Sequence, residues 1–205
     1  MKTIIRKETP SDYREVENLV RESFWNVYRP GCMEHYVLHG YRGLPEFVPE
    51  LSLVLELDGG IIGHIMYSRA TIQCDDGNAK PIMIFGPVAI APQYQKQGYG
   101  SHLIRFSLEK AREMGCGAVA ITGNPGYYHR FGFRDARSAG VYYGGLPRTE
   151  ETPFFMVKEL IPEYLAGVTG VYTDPPGYLV SEEEVDRFDA AFPPKVKLKL
   201  PGQLF

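Results

Sequence analysis

The segment from Ile84 to Ser101 constrains the fold more than any other part of the chain. An apolar run, Ile84-Phe85-Gly86-Pro87-Val88-Ala89-Ile90, ends in Ala91-Pro92. A short polar loop follows, Gly98 and Gly100 stand two apart, and a helical pattern begins. A strand that turns through glycines into a helix presents bare backbone N–H groups to an anion, and the helix dipole adds partial positive charge there. Without Cβ atoms, Gly98 and Gly100 let a phosphate approach the backbone closely. Lys96, Gln97, Gly98, Tyr99, Gly100 and Ser101 supply the N–H groups, Gln95 and Gln97 add neutral hydrogen bonds, and Lys96 adds charge. A plain strand-to-helix turn produces the same Gly-x-Gly, so that pattern alone does not choose.

Two phosphate-binding templates fail. A nucleotide P-loop requires Gly-x-x-x-x-Gly-Lys-Ser/Thr, whereas Gly100 is followed by Ser101-His102. A dinucleotide-binding turn requires a third glycine where Leu103 stands, and it belongs near the start of a chain. The loop here instead follows three strands, Leu51–Leu57, Ile61–Thr71 and Pro81–Ile90, joined by the turn signals Asp58-Gly59-Gly60 and Asp75-Asp76-Gly77-Asn78. They predict an antiparallel meander, with Gly63 at a bulge.

The other elements follow from periodicity. Thr3–Arg6 reads as a first strand, and Thr9-Pro10-Ser11-Asp12 starts a helix running to about residue 24. Glu34–Tyr41 reads as a second helix. Leu103, Ile104, Leu108, Ala111 and Met114 mark one face of a helix over 101–114. Ala118–Ile121 reads as a buried strand and Tyr127–Phe131 as a short helix. Phe133 onward and Pro153–Lys158 read as closing strands. Beyond residue 162 the texture changes to a loop, Thr173–Gly177, and an acidic helix, Glu182–Phe192.

Composition excludes several classes. A length of 205 residues suits one domain with an elaboration. A net charge of −3 carries no polyanion footprint, so no nucleic-acid partner is expected. Cys32, Cys74 and Cys116 form neither a Cys-x-x-Cys pair nor a zinc spacing, so no metal is expected and a reducing compartment is. No apolar run approaches the ~20 residues of a membrane span. The charged start, Met1–Glu8, does not read as a signal peptide. The expectation is a cytoplasmic protein without a membrane partner.

Gln95-x-x-Gly98-x-Gly100, preceded by Val88-Ala89-Ile90-x-Pro92, resembles motif A of the GCN5-related N-acetyltransferases, which binds the pyrophosphate of acetyl-CoA. Gly123-Asn124-Pro125-Gly126-Tyr127-Tyr128-His129-Arg130-Phe131-Gly132-Phe133 resembles the family's second cofactor segment, in which a tyrosine stands four residues before the glycine of a Gly-Phe pair. Tyr128 holds that position, and the wording is similar to a bacterial subgroup of acetyltransferases. The resemblance covers residues 3 to about 160. It implies an α+β (mixed α/β) fold with a mostly antiparallel central sheet, splayed at the cofactor strand, and helices on both faces. Residues 1–162 would form that domain. Residues 163–205 would be an extension packing on it or on a second copy in a homodimer.

The resemblance also implies a reaction: direct attack by a primary amine, of a small molecule or a peptide, on the acetyl carbonyl of acetyl-CoA. Val88, Ala89 and Ile90 would pair with the pantetheine arm, and a backbone N–H near Val88–Ala89 would polarise the carbonyl. Tyr128 would protonate the leaving thiolate, with Tyr127 its rival if the register slips by one. Asn124 and Phe131 would contact the cofactor. The strand 81–90 carries no Asp or Glu to serve as base, which leaves Glu56, His64 or a water chain. The acceptor pocket would draw on residues 26–39 and 136–153, with Tyr28, Arg29, Glu34, His35, Tyr36 and His39 in the first stretch. The competing function is a CoA-binding sensor without turnover, or a transferase for another acyl group.

Overall fold

The computed structural model describes residues 2–203. Nine strands and five α-helices follow in the order β1 (Thr3–Lys7), α1 (Tyr13–Phe24), α2 (Glu34–Tyr41), β2 (Leu53–Leu57), β3 (Gly60–Cys74), β4 (Ala79–Ile90), α3 (Tyr99–Glu113), β5 (Ala118–Thr122), α4 (Pro125–Tyr128), β6 (Arg134–Asp135), β7 (Val141–Tyr143), β8 (Phe155–Glu159), β9 (Gly170–Tyr172) and α5 (Glu182–Asp189) among the described residues. The chain divides into two compact units. The first comprises residues 2–66, 87–104 and 176–203, and the second residues 67–86 and 105–175.

In the first unit, β1 pairs antiparallel with β2, and β2 with β3. The β2–β3 register slips between Leu55 and Glu56, so the expected bulge sits beside Gly63. A Cβ on Gly63 would lie 2.6 Å from Ile90 Cδ1 and 3.3 Å from the Ala89 carbonyl oxygen, so the glycine permits close approach to the end of β4. Pro10 opens the turn into α1, and Asp12 accepts the Thr9 N–H at 2.8 Å. Helix α1 buries Val16, Leu19 and Val20. These meet Val37, Leu38 and Tyr41 of α2, together with Val54, Met66, Ala89 and Ala91, in one core.

In the second unit, β4 runs parallel to β5, with Met83 opposite Val119 and Ile84 opposite Ala120. Strand β8 lies antiparallel to β5 and to β6. Strand β9 pairs antiparallel with Ile72–Cys74 of β3 and parallel with β7. The core is aromatic: Phe155 stacks on Tyr172 at 4.9 Å, and Tyr67 lies 5.2 Å from Phe85.

Three elements depart from the sequence reading. Strand β9 has no periodic signature: it is three residues long, and Gly170 is there because a Cβ would meet the Gln73 carbonyl oxygen at 2.4 Å. The short helix near Tyr128 starts two residues earlier than expected, at Pro125, because Asn124 caps it by accepting the Gly126 N–H. The acidic helix ends at Asp189 rather than Phe192. The expected 163–205 extension is shared over its described part, 163–203, with β9 in the second unit and α5 in the first; residues 204 and 205 lie outside the described residues.

Candidate active site

The loop after β4 is an array of unused backbone donors. Lys96 and Gly98 take left-handed conformations, with φ of 60° and 93°. A Cβ on Gly98 would touch nothing, so glycine serves conformation there rather than space. The first intrahelical bond of α3 runs from the His102 N–H to the Gly98 carbonyl at 3.0 Å. The six N–H groups from Lys96 to Ser101 meet no acceptor among the described residues. A helix start leaves its first N–H groups unpaired, and the left-handed turn before α3 extends that set. The loop is held from behind: Gln95 Nε2 and Ser23 Oγ both donate to the Ile90 carbonyl, at 2.9 and 3.0 Å. Gln97 donates to the Gln93 carbonyl at 2.9 Å. Ala89 and Ile90 are buried, and Val88 is partly exposed.

Tyr128, in the second unit, sits among rings. Its centroid lies 5.1 Å from Tyr127, 6.0 Å from Phe85, 6.0 Å from Phe133 and 6.3 Å from Phe131. Asn124 positions this tyrosine through the main chain, since its carbonyl accepts the N–H groups of Tyr127 and Tyr128. Its side chain is occupied as the helix cap. Phe131 is buried, with the Arg105 guanidinium 5.3 Å from its ring centroid. Tyr67 is fully buried and shares a 2.9 Å hydrogen bond with Ser107, and burial raises its pKa.

The two base candidates are both in the first unit and both engaged. His64 is fully buried, 3.2 Å from Ser52 Oγ and 3.7 Å from Glu8 Oε1. Glu56 is bound by Arg6, whose Nε donates to it at 2.8 Å. His64 belongs to a network that sequence reasoning missed. Arg42 reaches Glu8 at 2.5 Å and Glu17 at 2.6 Å, Ser52 donates to Glu8 at 2.7 Å, and His39 Nδ1 lies 2.8 Å from Glu17. Burial alone would raise the Glu8 carboxyl, but the hydrogen bonds of His64 and Arg42 outweigh it and hold the pKa at about 2. No sequence signal could have joined Glu8, just after β1, to Arg42, at the end of α2: the two meet only through the tertiary fold.

The acceptor stretch 26–39 is largely taken up by the C-terminal segment. Asp189 receives two bonds from the fully buried Arg21, and Phe188 packs on His35, Tyr36 and His39. Trp25 and Asn26 both donate to the Val196 carbonyl at 3.0 Å, and Arg29 pairs with Glu182. Cys32, His35 and Asp189 form a chain, with Sγ 3.3 Å from Nδ1 and Nε2 3.1 Å from Oδ1, the latter off the angle of a hydrogen bond. Burial raises the Cys32 thiol and lowers His35 to about 4, so both are neutral and the chain is no activated nucleophile. Glu34 accepts the Met33 N–H, and burial raises its carboxyl. No trio of His, Cys, Asp or Glu is arranged to hold a metal, and no helix is long and apolar enough to cross a membrane, among the described residues.

With the fold and the loop described, the comparisons with known proteins give the family. The profile of the Acetyltransferase (GNAT) family matches residues 14–133, more than half of the chain, and the chain belongs to that family. It is 38% identical over 104 residues to the uncharacterized N-acetyltransferase YjhQ of Escherichia coli K12, a match spanning 50% of this chain and 56% of that protein. The fold is similar to that of the GNAT family N-acetyltransferase YhbS of Escherichia coli, solved in complex with CoA, with a TM-score of 0.75 and 27% identity over 87% of this chain and 92% of that one. It is also similar to a GNAT family acetyltransferase of Brucella melitensis solved with acetyl-CoA, with a TM-score of 0.69 and 27% identity over 87% of this chain and 99% of that one.

Proposed function

We propose that this chain is an N-acetyltransferase that moves the acetyl group of acetyl-CoA to a primary amine of a small molecule or peptide by direct attack. One observation carries the reading: the six acceptor-less N–H groups from Lys96 to Ser101, at the start of a helix, suit a pyrophosphate. The CoA and acetyl-CoA complexes of the two similar structures support the same ligand. Gln95 also serves as a strut for the loop, because its Nε2 donates to the Ile90 carbonyl.

In the proposed reaction the amine nitrogen bonds to the acetyl carbon and the C–S bond breaks. The backbone near Val88–Ala89 stabilises the oxyanion, and Tyr128 gives its proton to the departing thiolate. The amine proton leaves through water. The burial of His64 and the engagement of Glu56 with Arg6 disfavour either as a direct base. Those same two facts favour the second reading, a CoA binder without turnover. We place residues 163–205 as an elaboration of the acetyltransferase core, acting on the acceptor side through its cover over residues 21–39.

Thiol release from acetyl-CoA, followed over a panel of primary amines and alcohols, tests both. Turnover confined to amines supports the transferase. Tight CoA binding, measured by calorimetry, without release over any acceptor supports the binder. Propionyl-CoA in the same assay tests the acyl group.

A further inference from the structure

Gly123 follows the last residue of β5 and precedes the cap of α4. Its φ is not left-handed, so no positive φ demands glycine there. The space is what forbids one. A Cβ built on Gly123 would lie 2.5 Å from Tyr128 Cε2, 3.1 Å from Cδ2 and 3.6 Å from Cζ. The first distance is far inside van der Waals contact, so either Gly123 or the Tyr128 ring would have to move.

Neither has an easy retreat. Gly123 is pinned by its N–H, which donates to the Phe154 carbonyl at 2.8 Å, extending the β5–β8 ladder past Thr122. The Tyr128 main chain is fixed by the Asn124 carbonyl at 3.2 Å. The ring has Phe85, Phe133 and Tyr127 around it, so a sideways shift meets other rings.

We propose that Gly123 is a positioning residue for Tyr128: the missing side chain at 123 is the space in which the tyrosine ring lies, and it sets where the hydroxyl is delivered. The inference rests on the reading of Tyr128 as proton donor. Adding one methyl group moves the ring by roughly 1 Å, and a misplacement of that size can cost about 10²-fold in rate. Binding of acetyl-CoA through the backbone donors of 96–101 does not depend on that ring.

The test is a double-mutant cycle of Gly123→Ala with Tyr128→Ala and Tyr128→Phe, read in two ways. Thermal unfolding needs no acceptor. Gly123→Ala lowers Tm by about 2–4 °C or more with tyrosine at 128, and leaves it unchanged or raises it in the Tyr128→Ala background, where the ring is gone. An equal loss in both backgrounds overturns the steric link. Thiol release from acetyl-CoA is then followed with one amine, or with water, as the common acceptor for every variant. Gly123→Ala lowers kcat about 10²-fold, with KM for acetyl-CoA within about twofold, and adds nothing to Tyr128→Phe. A Gly123→Ala enzyme with native kcat, where Tyr128→Phe is impaired, overturns the positioning role alone. Native kcat in Tyr128→Phe overturns the proton-donor reading, and the positioning role with it, while the Tm cycle still decides the steric link.

Discussion

The two units carry their chemistry-bearing groups by different physics. In the first, the donors are main-chain N–H groups at a helix start, and the buried charged side chains elsewhere in the unit are neutralised by one another: Arg42 by Glu8 and Glu17, Arg21 by Asp189. In the second, the side chain proposed as proton donor is a tyrosine held by rings, with no side chain at 123 to displace it. Main-chain donors tolerate many side-chain changes, because the backbone supplies them. A ring held by packing tolerates few, because close-packed interiors transmit strain.

The largest expected effect strikes the second unit. Tyr128→Phe keeps the ring and removes the proton, so kcat falls about 10²–10⁴-fold while KM for acetyl-CoA stays near native, measured by thiol release. A comparable effect appearing in KM instead would mean that the hydroxyl serves binding.

Next comes the buried network of the first unit. Arg42→Met leaves two buried carboxylates, Glu8 and Glu17, without their shared cation. Losing one partner of a buried pair costs about 3–5 kcal/mol, read as a lower midpoint in urea. The exposed Arg148–Asp75 pair of the second unit is the control, and Arg148→Met should leave the midpoint within error. If both variants behave alike, the contrast between buried and exposed pairs is wrong.

The donor loop is expected to be less sensitive. Gly98→Ala meets no clash, so its cost is the left-handed backbone, about 1–2 kcal/mol or roughly 10-fold in CoA affinity by calorimetry. Replacing Lys96 by Ala should change affinity less than this, since its N–H group remains.

Acid provides the mildest probe. The buried imidazole of His35 has its pKa lowered to about 4, below the free value of 6.5. From pH 6.5 down to 4 the unfolded chain takes a proton that the folded chain resists, so stability falls as pH falls. Glu8, held at about 2, extends the loss from pH 4.5 downward, because its folded carboxylate must surrender its partners. His35→Gln should flatten the upper part of that profile in pH-dependent thermal unfolding, and Glu8→Gln the lower part.

The fold was legible where periodicity was strong. The meander, the helix over 101–114 and the two cofactor-like motifs follow from alternation, from a 3.6-residue stripe and from glycines at fixed offsets. Strand β9 was not legible, because three residues carry no period. The Arg21–Asp189 pair was not legible either, since nothing local relates positions 168 apart.

The sequence by itself determined the strand, polar loop and helix start over 84–101, because alternation, glycines and a helical stripe are local properties of that segment; that Lys96 and Gly98 are the left-handed positions came from the structure. It also singled out Tyr128 for the proposed role, through the resemblance carried by its offset from Gly132-Phe133. Only the tertiary structure decided that His64 is buried in a charge network, that the C-terminal segment occupies the 21–39 surface, and that Gly123 is empty so that Tyr128 can be where it is. Those facts are matters of which side chains share a volume, and volume is assigned by long-range packing, which no local spacing encodes.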